Sequence, residues 1–260
     1  AGRSDFERDY PTDWTKEFDG EVTEYGIKTD TPYNDNDFII IGADYKSFEH
    51  KNDLKQKYDN KALFITNSNE FNFLGSKTIL SESFRFDDYD KFENKTTFKA
   101  GVKHFCKNIE SLSISANIGT AYNVPTLYNL FDPTYGNPDL KPENTLSYDI
   151  GFGYRDITLT YFETKTKDMI DFDTAVWRYY NADATSKIKG LEIDYRSNIG
   201  ESILYSVGYT YLDAKDAKGK MLQRRPQNTI KASVDYYGIK DLHVGINGEY
   251  IGKRVEYDYG

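Results

Sequence analysis

The sequence has little cysteine, tryptophan or methionine and no long apolar run. Its single cysteine, Cys106, excludes an intrachain disulfide and a cysteine-based metal cage. The longest apolar run is Phe38-Ile39-Ile40-Ile41, whereas a membrane-spanning helix needs about 20 apolar residues. Residues 1–30 contain no apolar segment of the signal-peptide type. These absences exclude a helical membrane protein and a disulfide scaffold.

The chain also lacks an excess of basic residues. Its 33 Lys and Arg against 42 Asp and Glu give a net charge of −9, which excludes a general nucleic-acid binder because such a protein needs a basic face. Aromatic residues are abundant, with 23 Tyr and 16 Phe. A disordered acidic chain would be poor in aromatics, so the composition favours a folded protein.

Apolar residues recur with a period of two, which predicts strands. Leu146, Tyr148, Ile150, Phe152 and Tyr154 alternate with small or polar residues, and the segments 111–122, 202–211 and 242–250 repeat the pattern. Tight polar turns alternate with long connections. The pattern predicts about 12–14 strands of roughly 10–14 residues each, longer than strands of soluble proteins.

The composition of the two strand faces indicates the surrounding solvent. One face carries Tyr, Ile, Leu and Val, and the other carries Ser, Thr, Asn, Asp, Lys and Gly. A transmembrane β-barrel directs the apolar face to lipid and the polar face to an aqueous lumen. The predicted fold class is therefore all-β, an antiparallel transmembrane β-barrel. A large soluble barrel or two-sheet sandwich remains the alternative.

One segment is distinctive beyond its periodicity. It is a turn-rich entry into a strand in which two prolines fix the backbone, and it consists of Tyr135, Gly136, Asn137, Pro138, Asp139, Leu140, Lys141, Pro142 and Glu143. On chemistry alone it is a rigid loop. Together with GTAYNVPTLYNLF before it (119–131) and YYNADATSKIKGLEIDY after it (179–195), it resembles the hallmark of TonB-dependent outer-membrane receptors.

The resemblance extends over nearly the whole chain and carries several implications. Residues 1–260 would form a partial barrel of about 12–14 strands, taken from a larger plugged barrel of about 22 strands. No plug-like sequence precedes Gly20, so we expect an internal barrel piece without its plug domain. The implied location is the bacterial outer membrane. The implied partners are outer-membrane lipid and the TonB energy-transducing system, which would act through the missing plug.

Three further segments are similar to the cobalamin-transporting branch of the family: KDMIDFD (167–173), KMLQRRPQNTIKASVDY (220–236) and GEYIGKRVEYDY (248–259). They imply active import of a large scarce nutrient, with cobalamin as the first ligand and an iron–siderophore as the second. A passive porin or translocator barrel remains a third interpretation. No hydrolytic or phosphate-binding motif occurs, so the predicted protein is not an enzyme.

Candidate ligand-binding residues are few. The resemblance aligns Arg224 with a substrate-contacting arginine, and Arg225 follows it; a lumen-facing arginine paired with a carboxylate is the alternative. Aromatic side chains could stack on a bulky macrocycle or form an interfacial girdle. Those near predicted extracellular loops are Tyr33, Trp177, Tyr179, Tyr180, Tyr257 and Tyr259.

Acidic segments provide no convincing metal site. Residues 34–37 and 87–90 are rich in Asp and Asn but lack the full ligand spacing of a calcium loop. A solvated loop is the simpler interpretation. We therefore predict neither a metal nor a cofactor.

Overall fold

The computed structural model describes residues 2–9, 17–51, 54–216 and 218–256. Within them, thirteen strands form one antiparallel sheet and two form a separate hairpin. The elements are β1 (Gly2–Asp9), β2 (Glu17–Pro32), β3 (Phe38–His50), β4 (Gln56–Phe73), β5 (Ser76–Tyr89), β6 (Lys95–Phe105), β7 (Leu112–Asn123), α1 (Leu127–Phe131), β8 (Glu143–Tyr154), β9 (Ile157–Lys167), β10 (Ile170–Asp173), β11 (Arg178–Asn181), β12 (Ser186–Ile199), β13 (Ile203–Lys215), β14 (Asn228–Ile239) and β15 (Leu242–Ile251).

The large sheet is a meander. Each strand pairs with the next along the chain, except that β9 pairs with β12 and so passes over the β10–β11 hairpin. Among the described residues, β1 and β15 each pair with one neighbour, so the sheet is open. The all-β antiparallel architecture predicted from the sequence is confirmed, and its thirteen-stranded sheet lies within the predicted range.

The two faces of the sheet differ in polarity as predicted. Ile150 is in register with Ala116 and Tyr161, and paired residues share a face. This apolar face is exposed rather than buried between two sheets, so the soluble sandwich is wrong. Its exposed side chains include Ile27, Ile41, Leu63, Phe84, Val102, Ile114, Ile150, Ile193, Val234 and Ile246.

The polar face is hydrogen-bonded across strands. The Ser147 and Thr164 hydroxyls are 2.8 Å apart, and Asn117 Nδ2 donates to Asp149 Oδ1 at 2.7 Å. Arg85 of β5 forms an ion pair with Asp44 of β3 at 2.8 Å and a second one with Asp87 of its own strand at 3.0 Å. Such a face has the chemistry of a wall lining a hydrated cavity.

The apolar band is staggered along the sheet. Ile65, which follows Leu63 in the band on β4, is in register with Phe84, which is in register with Phe98. The Phe98 amide in turn donates to Thr120 Oγ1, and Thr120 is in register with Leu146, which begins the band on β8. The start of the band therefore shifts toward the ends of β4 and β8 distant from the 124–142 connection as the sheet runs from β4 to β8, as expected when tilted strands form a barrel wall.

Two polar side chains interrupt the apolar face near the middle of β4 and β5. Asn67 and Glu82 occupy paired positions, and Asn67 Nδ2 donates to Glu82 Oε2 at 3.2 Å. Tyr33 Oη donates to Asn67 Oδ1 at 2.9 Å. Period-two alternation alone would not place polar side chains on this face. The hydrogen bonds partly satisfy their polar groups.

The two ends of the sheet have different connections. One, the short-turn end, contains the tight turns at residues 74–75, 155–156, 200–202 and 240–241. Leu74 and Gly75 both have positive φ, as a type I′ hairpin turn requires. The long-loop end contains residues 124–142, 168–185 and 216–227. Tyr33 lies in the β2–β3 connection at the short-turn end, so its predicted place near the extracellular loops is wrong; sequence periodicity identifies strands but not their direction.

Candidate functional site

Helix α1 anchors the 124–142 connection to the polar face of the sheet. Thr126 caps it: its Oγ1 accepts from the Asn129 amide at 3.1 Å, and its own amide donates to Asn129 Oδ1 at 3.1 Å. Leu127 is buried and shares the lining of a cavity of about 130 Å³ with Phe48 and Tyr58 from the sheet. The cap begins the helix and apolar burial holds it in place.

A tight turn follows α1 and begins the distinctive motif. Asp132 Oδ1 accepts from the amides of Thr134 at 3.0 Å and Tyr135 at 2.7 Å. The Gly136 amide donates to the Asp132 carbonyl at 2.9 Å. A Cβ at position 136 would lie 2.5 Å from that carbonyl oxygen, so the close backbone approach requires glycine.

The next motif residues bind the β10–β11 hairpin. Asn137 Nδ2 donates to the Tyr179 carbonyl at 2.8 Å. Asn181 Oδ1 accepts from the Lys141 amide at 2.8 Å, while its Nδ2 donates to the Lys141 carbonyl at 2.8 Å. These bonds join residues about forty positions apart in the sequence. We call the 124–142 connection and the hairpin at residues 170–181, held together in this way, the loop platform.

The last motif residue connects the platform to the sheet. Glu143 begins β8. Its Oε1 accepts from the Ile170 amide at 2.7 Å, and its Oε2 accepts from Asn123 Nδ2 at 2.8 Å. One carboxylate therefore fixes the start of the hairpin against two strands of the sheet. The family-like motif, predicted on chemistry alone to be a rigid loop, has a structural role.

Aromatic side chains cover the platform. The Phe172 ring lies 5.8 Å from Tyr135, 6.2 Å from Trp177 and 5.1 Å from Tyr179 between centroids. Tyr128 of α1 extends the cluster to Tyr179 at 6.2 Å. Burial, together with the Asp132 carboxylate, raises the pKa of Tyr128 to about 12.

Trp177 is the exposed part of this cluster. It is 59 % exposed and lies in the turn between β10 and β11, where it has a positive φ of 54°. Its ring also lies 6.1 Å from Tyr135. A large aromatic surface is therefore available to ligand while its position is fixed by neighbouring rings.

Tyr180 and Arg224, two further predicted residues, also lie at the long-loop end. Tyr180 is paired with Asp171 in the hairpin, and burial and then that carboxylate raise its pKa. Arg224 lies in the 216–227 loop, where its amide donates to the Val255 carbonyl at 2.8 Å and its Nε lies 3.6 Å from Glu256 Oε2. The other predicted site residues are Arg225, exposed beside Arg224, and Tyr257 and Tyr259, which lie outside the described residues.

Sequence reasoning thus found Trp177 and Tyr179 in the cluster but missed Phe172, Tyr128 and the role of Asn181. Phe172 belongs to the KDMIDFD segment that carried part of the resemblance. Across the described ranges, no group of three or more His, Cys, Asp or Glu is arranged to hold a metal ion. None of the described helical segments has both the length and the apolar composition to cross a bilayer.

The family profile described as "TonB dependent receptor-like, beta-barrel" matches residues 2–260. The chain belongs to this family. Its members are bacterial outer-membrane proteins, so the apolar face of the sheet faces lipid. The resemblance noted in the sequence is confirmed, and the family is one of receptors and transporters.

Individual relatives are similar over part of their length. The chain is 30 % identical over 186 residues to the vitamin B12 transporter BtuB of Vibrio cholerae, covering 70 % of this chain and 30 % of the relative. The siderophore receptor PirA from Acinetobacter baumannii has a TM-score of 0.75 at 17 % identity, over 92 % of this chain and 44 % of PirA. A variant of the ferric enterobactin receptor PfeA from Pseudomonas aeruginosa has a TM-score of 0.77 at 18 % identity, over 92 % of this chain and 42 % of PfeA. The chain therefore spans less than half the length of these proteins, and the solved structures support the fold alone.

Proposed function

We propose that the full-length receptor containing this chain imports cobalamin across the outer membrane. The loop platform captures the ligand, and TonB supplies the energy for its release through a plug domain. The observation that carries the proposal is the exposed Trp177, held by neighbouring rings on a hydrogen-bonded platform at the long-loop end. The identity to vitamin B12 transporters favours cobalamin as the ligand.

The platform suits a large, rigid ligand. An aromatic ring that is fixed before binding loses little conformational entropy when a macrocycle stacks on it. Tyr135 and Phe172 hold the Trp177 ring. Asn137 and Asn181 hold the hairpin that presents it. Little of the binding free energy is therefore lost in ordering the loop.

A ferric siderophore is the second candidate. Arg224 and Arg225 are exposed at the same end of the sheet, and guanidinium groups suit the anionic oxygens of an iron chelate. Titration of the full-length receptor in detergent with cyanocobalamin and with ferric siderophores separates the two ligands. Saturable siderophore binding without cobalamin binding would identify a ferric siderophore as the ligand.

We expect Trp177→Ala in the full-length receptor to weaken cyanocobalamin binding about 10- to 30-fold, or about 1.4–2 kcal/mol, because a central aromatic contact is lost. Equilibrium titration in detergent measures the change. The control is Val176→Ala, since Val176 is the adjacent exposed tip residue and should leave the affinity within about two-fold. Equal affinities for the Trp177 variant and the unmodified receptor would contradict the assignment of the platform.

A passive porin would differ from a plugged receptor in its permeability to small sugars. A porin would let small sugars enter proteoliposomes at rates that depend on size alone, whereas a plugged receptor should exclude them. Swelling assays on the full-length protein distinguish the two. Rapid sugar entry would contradict active import.

A further inference from the structure

A basic cavity lies on the apolar face at its long-loop edge. Its volume is about 820 Å³, and it is formed by β6–β9, β12 and the residues just before β12. Its lining combines lysines with apolar side chains: Lys95, Lys165, Lys167, Lys187, Phe98 and Leu146. None of these lining residues belongs to the loop platform.

The strand register fixes the position of these lysines along the strands. Lys165 is in register with Leu146 on one side and Lys187 on the other, so all three side chains share the apolar face. Lys167 follows one step nearer the long loops, paired with Asn144. Leu146 begins the apolar band on β8. The lysines therefore lie where the hydrocarbon region ends and the lipid headgroups begin.

The cluster has an uncompensated positive charge. Lys165 forms an ion pair with Glu163 at 3.0 Å. The Lys95 ammonium hydrogen-bonds the Asn144 side chain and lies 5.3 Å from the Tyr122 ring centre. Within the described part of the chain, neither Lys167 nor Lys187 has a carboxylate within 4.0 Å. On the apolar face, the three ammonium groups of Lys165, Lys167 and Lys187 thus have one paired carboxylate, in a protein whose net charge is −9.

The cavity below the lysines is apolar. Phe98 and Leu146 line it and belong to the band that faces lipid. A soluble anion would use the lysines but leave this surface unused, and an acidic peptide would have to enter the hydrocarbon edge. A lipid with an anionic headgroup uses both parts at once.

We propose that this cavity binds a phosphorylated lipid of the outer leaflet. Its phosphate groups contact Lys165, Lys167 and Lys187, and its acyl chains lie over Phe98 and Leu146. Lysine suits this task because its ammonium is a mobile point charge that can follow a phosphate oxygen. The site would fix the receptor's depth and orientation among outer-leaflet lipids.

The test uses the full-length receptor in detergent with bis-phosphorylated lipid A as the probe, and lipid A lacking both phosphates as the comparison. Native mass spectrometry measures the bound fraction as the lipid concentration is raised. We expect bound bis-phosphorylated lipid at concentrations at least ten-fold below those needed for the dephosphorylated lipid. Double substitution Lys167→Gln and Lys187→Gln should abolish this preference.

The matched control is Lys61→Gln. Lys61 lies on the apolar face near the long-loop end of β4, away from the cavity, and its substitution should leave the preference unchanged. Thermal unfolding of each variant verifies that it is folded. Equal binding of the two lipids, or an unchanged preference in the Lys167/Lys187 variant, would overturn the proposal. Stabilisation by inorganic phosphate equal to that by lipid A would identify a soluble anion site instead.

Discussion

Gly190→Val is expected to prevent assembly of the barrel wall. A Cβ at this position would lie 2.4 Å from the Tyr211 carbonyl oxygen and 2.5 Å from Phe162 Cζ. The carbonyl belongs to β13, which pairs with β12 along its whole length, so it cannot retreat without breaking the ladder. We expect a cost of about 3 kcal/mol, at the upper range for overpacking, and little folded receptor. Mobility of unheated samples on a denaturing gel measures the folded fraction.

The control for this substitution is Gly248→Val. Gly248 is also in a strand, β15, but an added Cβ there would have no atom within 4 Å. We expect its folded fraction to match that of the unmodified receptor, since valine also favours strands. If both variants fold equally well, the close approach of Phe162 across Gly190 would not be the reason for glycine at this position.

Glycine at position 190 also gives a physical reason for part of the resemblance. The segment KIKGLEIDY contains the Gly-x-Glu pattern that helped to identify the family. In the structure, a ring from the neighbouring strand lies directly over the glycine. The same arrangement occurs at Gly42, where a Cβ would lie 2.3 Å from Phe64 Cζ. Small residues on the polar face thus allow larger neighbours to lie flat against the wall.

The strands and their two faces could be predicted because alternation is a local property. The alternation in residues 146–154 predicts one strand with one apolar side before any neighbouring strand is known. The apolar composition of that side indicates that it faces lipid, and this composition can be seen without knowing the neighbouring strands. Asn67 and Glu82 could not be predicted from alternation, because they are satisfied by each other across two strands.

The loop platform was beyond sequence reasoning for a different reason. Residues 171–180 read as a long connection, and nothing local marks the β10–β11 hairpin as docked. Its position depends on Asn137 and Asn181, whose partners lie about forty residues away. The motif was recognisable as a sequence pattern, but only the structure shows that it joins two loops. Long-range polar contacts of this kind have no periodic signal.

Asn181→Leu is expected to detach the hairpin from the motif. The Asn181 side chain makes three hydrogen bonds, two with the Lys141 backbone and one from Nδ2 to the Asp168 carbonyl at 2.7 Å. Leucine has a similar size but supplies none of them. At about 1 kcal/mol each, the loss of the two bonds to Lys141 weakens docking on the motif by about 2 kcal/mol. Trypsin should then cleave after Arg178 at least ten-fold faster in the full-length receptor.

Ligand binding gives the second measurement on this variant. If the platform captures cobalamin, a detached hairpin no longer holds Trp177 in place, and the affinity should fall about ten-fold. Asn198→Leu is the control, because Asn198 Nδ2 donates to the Gly200 carbonyl at 2.7 Å at the opposite end of the sheet. Faster cleavage with unchanged affinity would show that the hydrogen bonds hold the hairpin but that ligand binds elsewhere. Unchanged cleavage would contradict the role of Asn181 itself, because the two lost bonds to Lys141 must weaken a contact that depends on them.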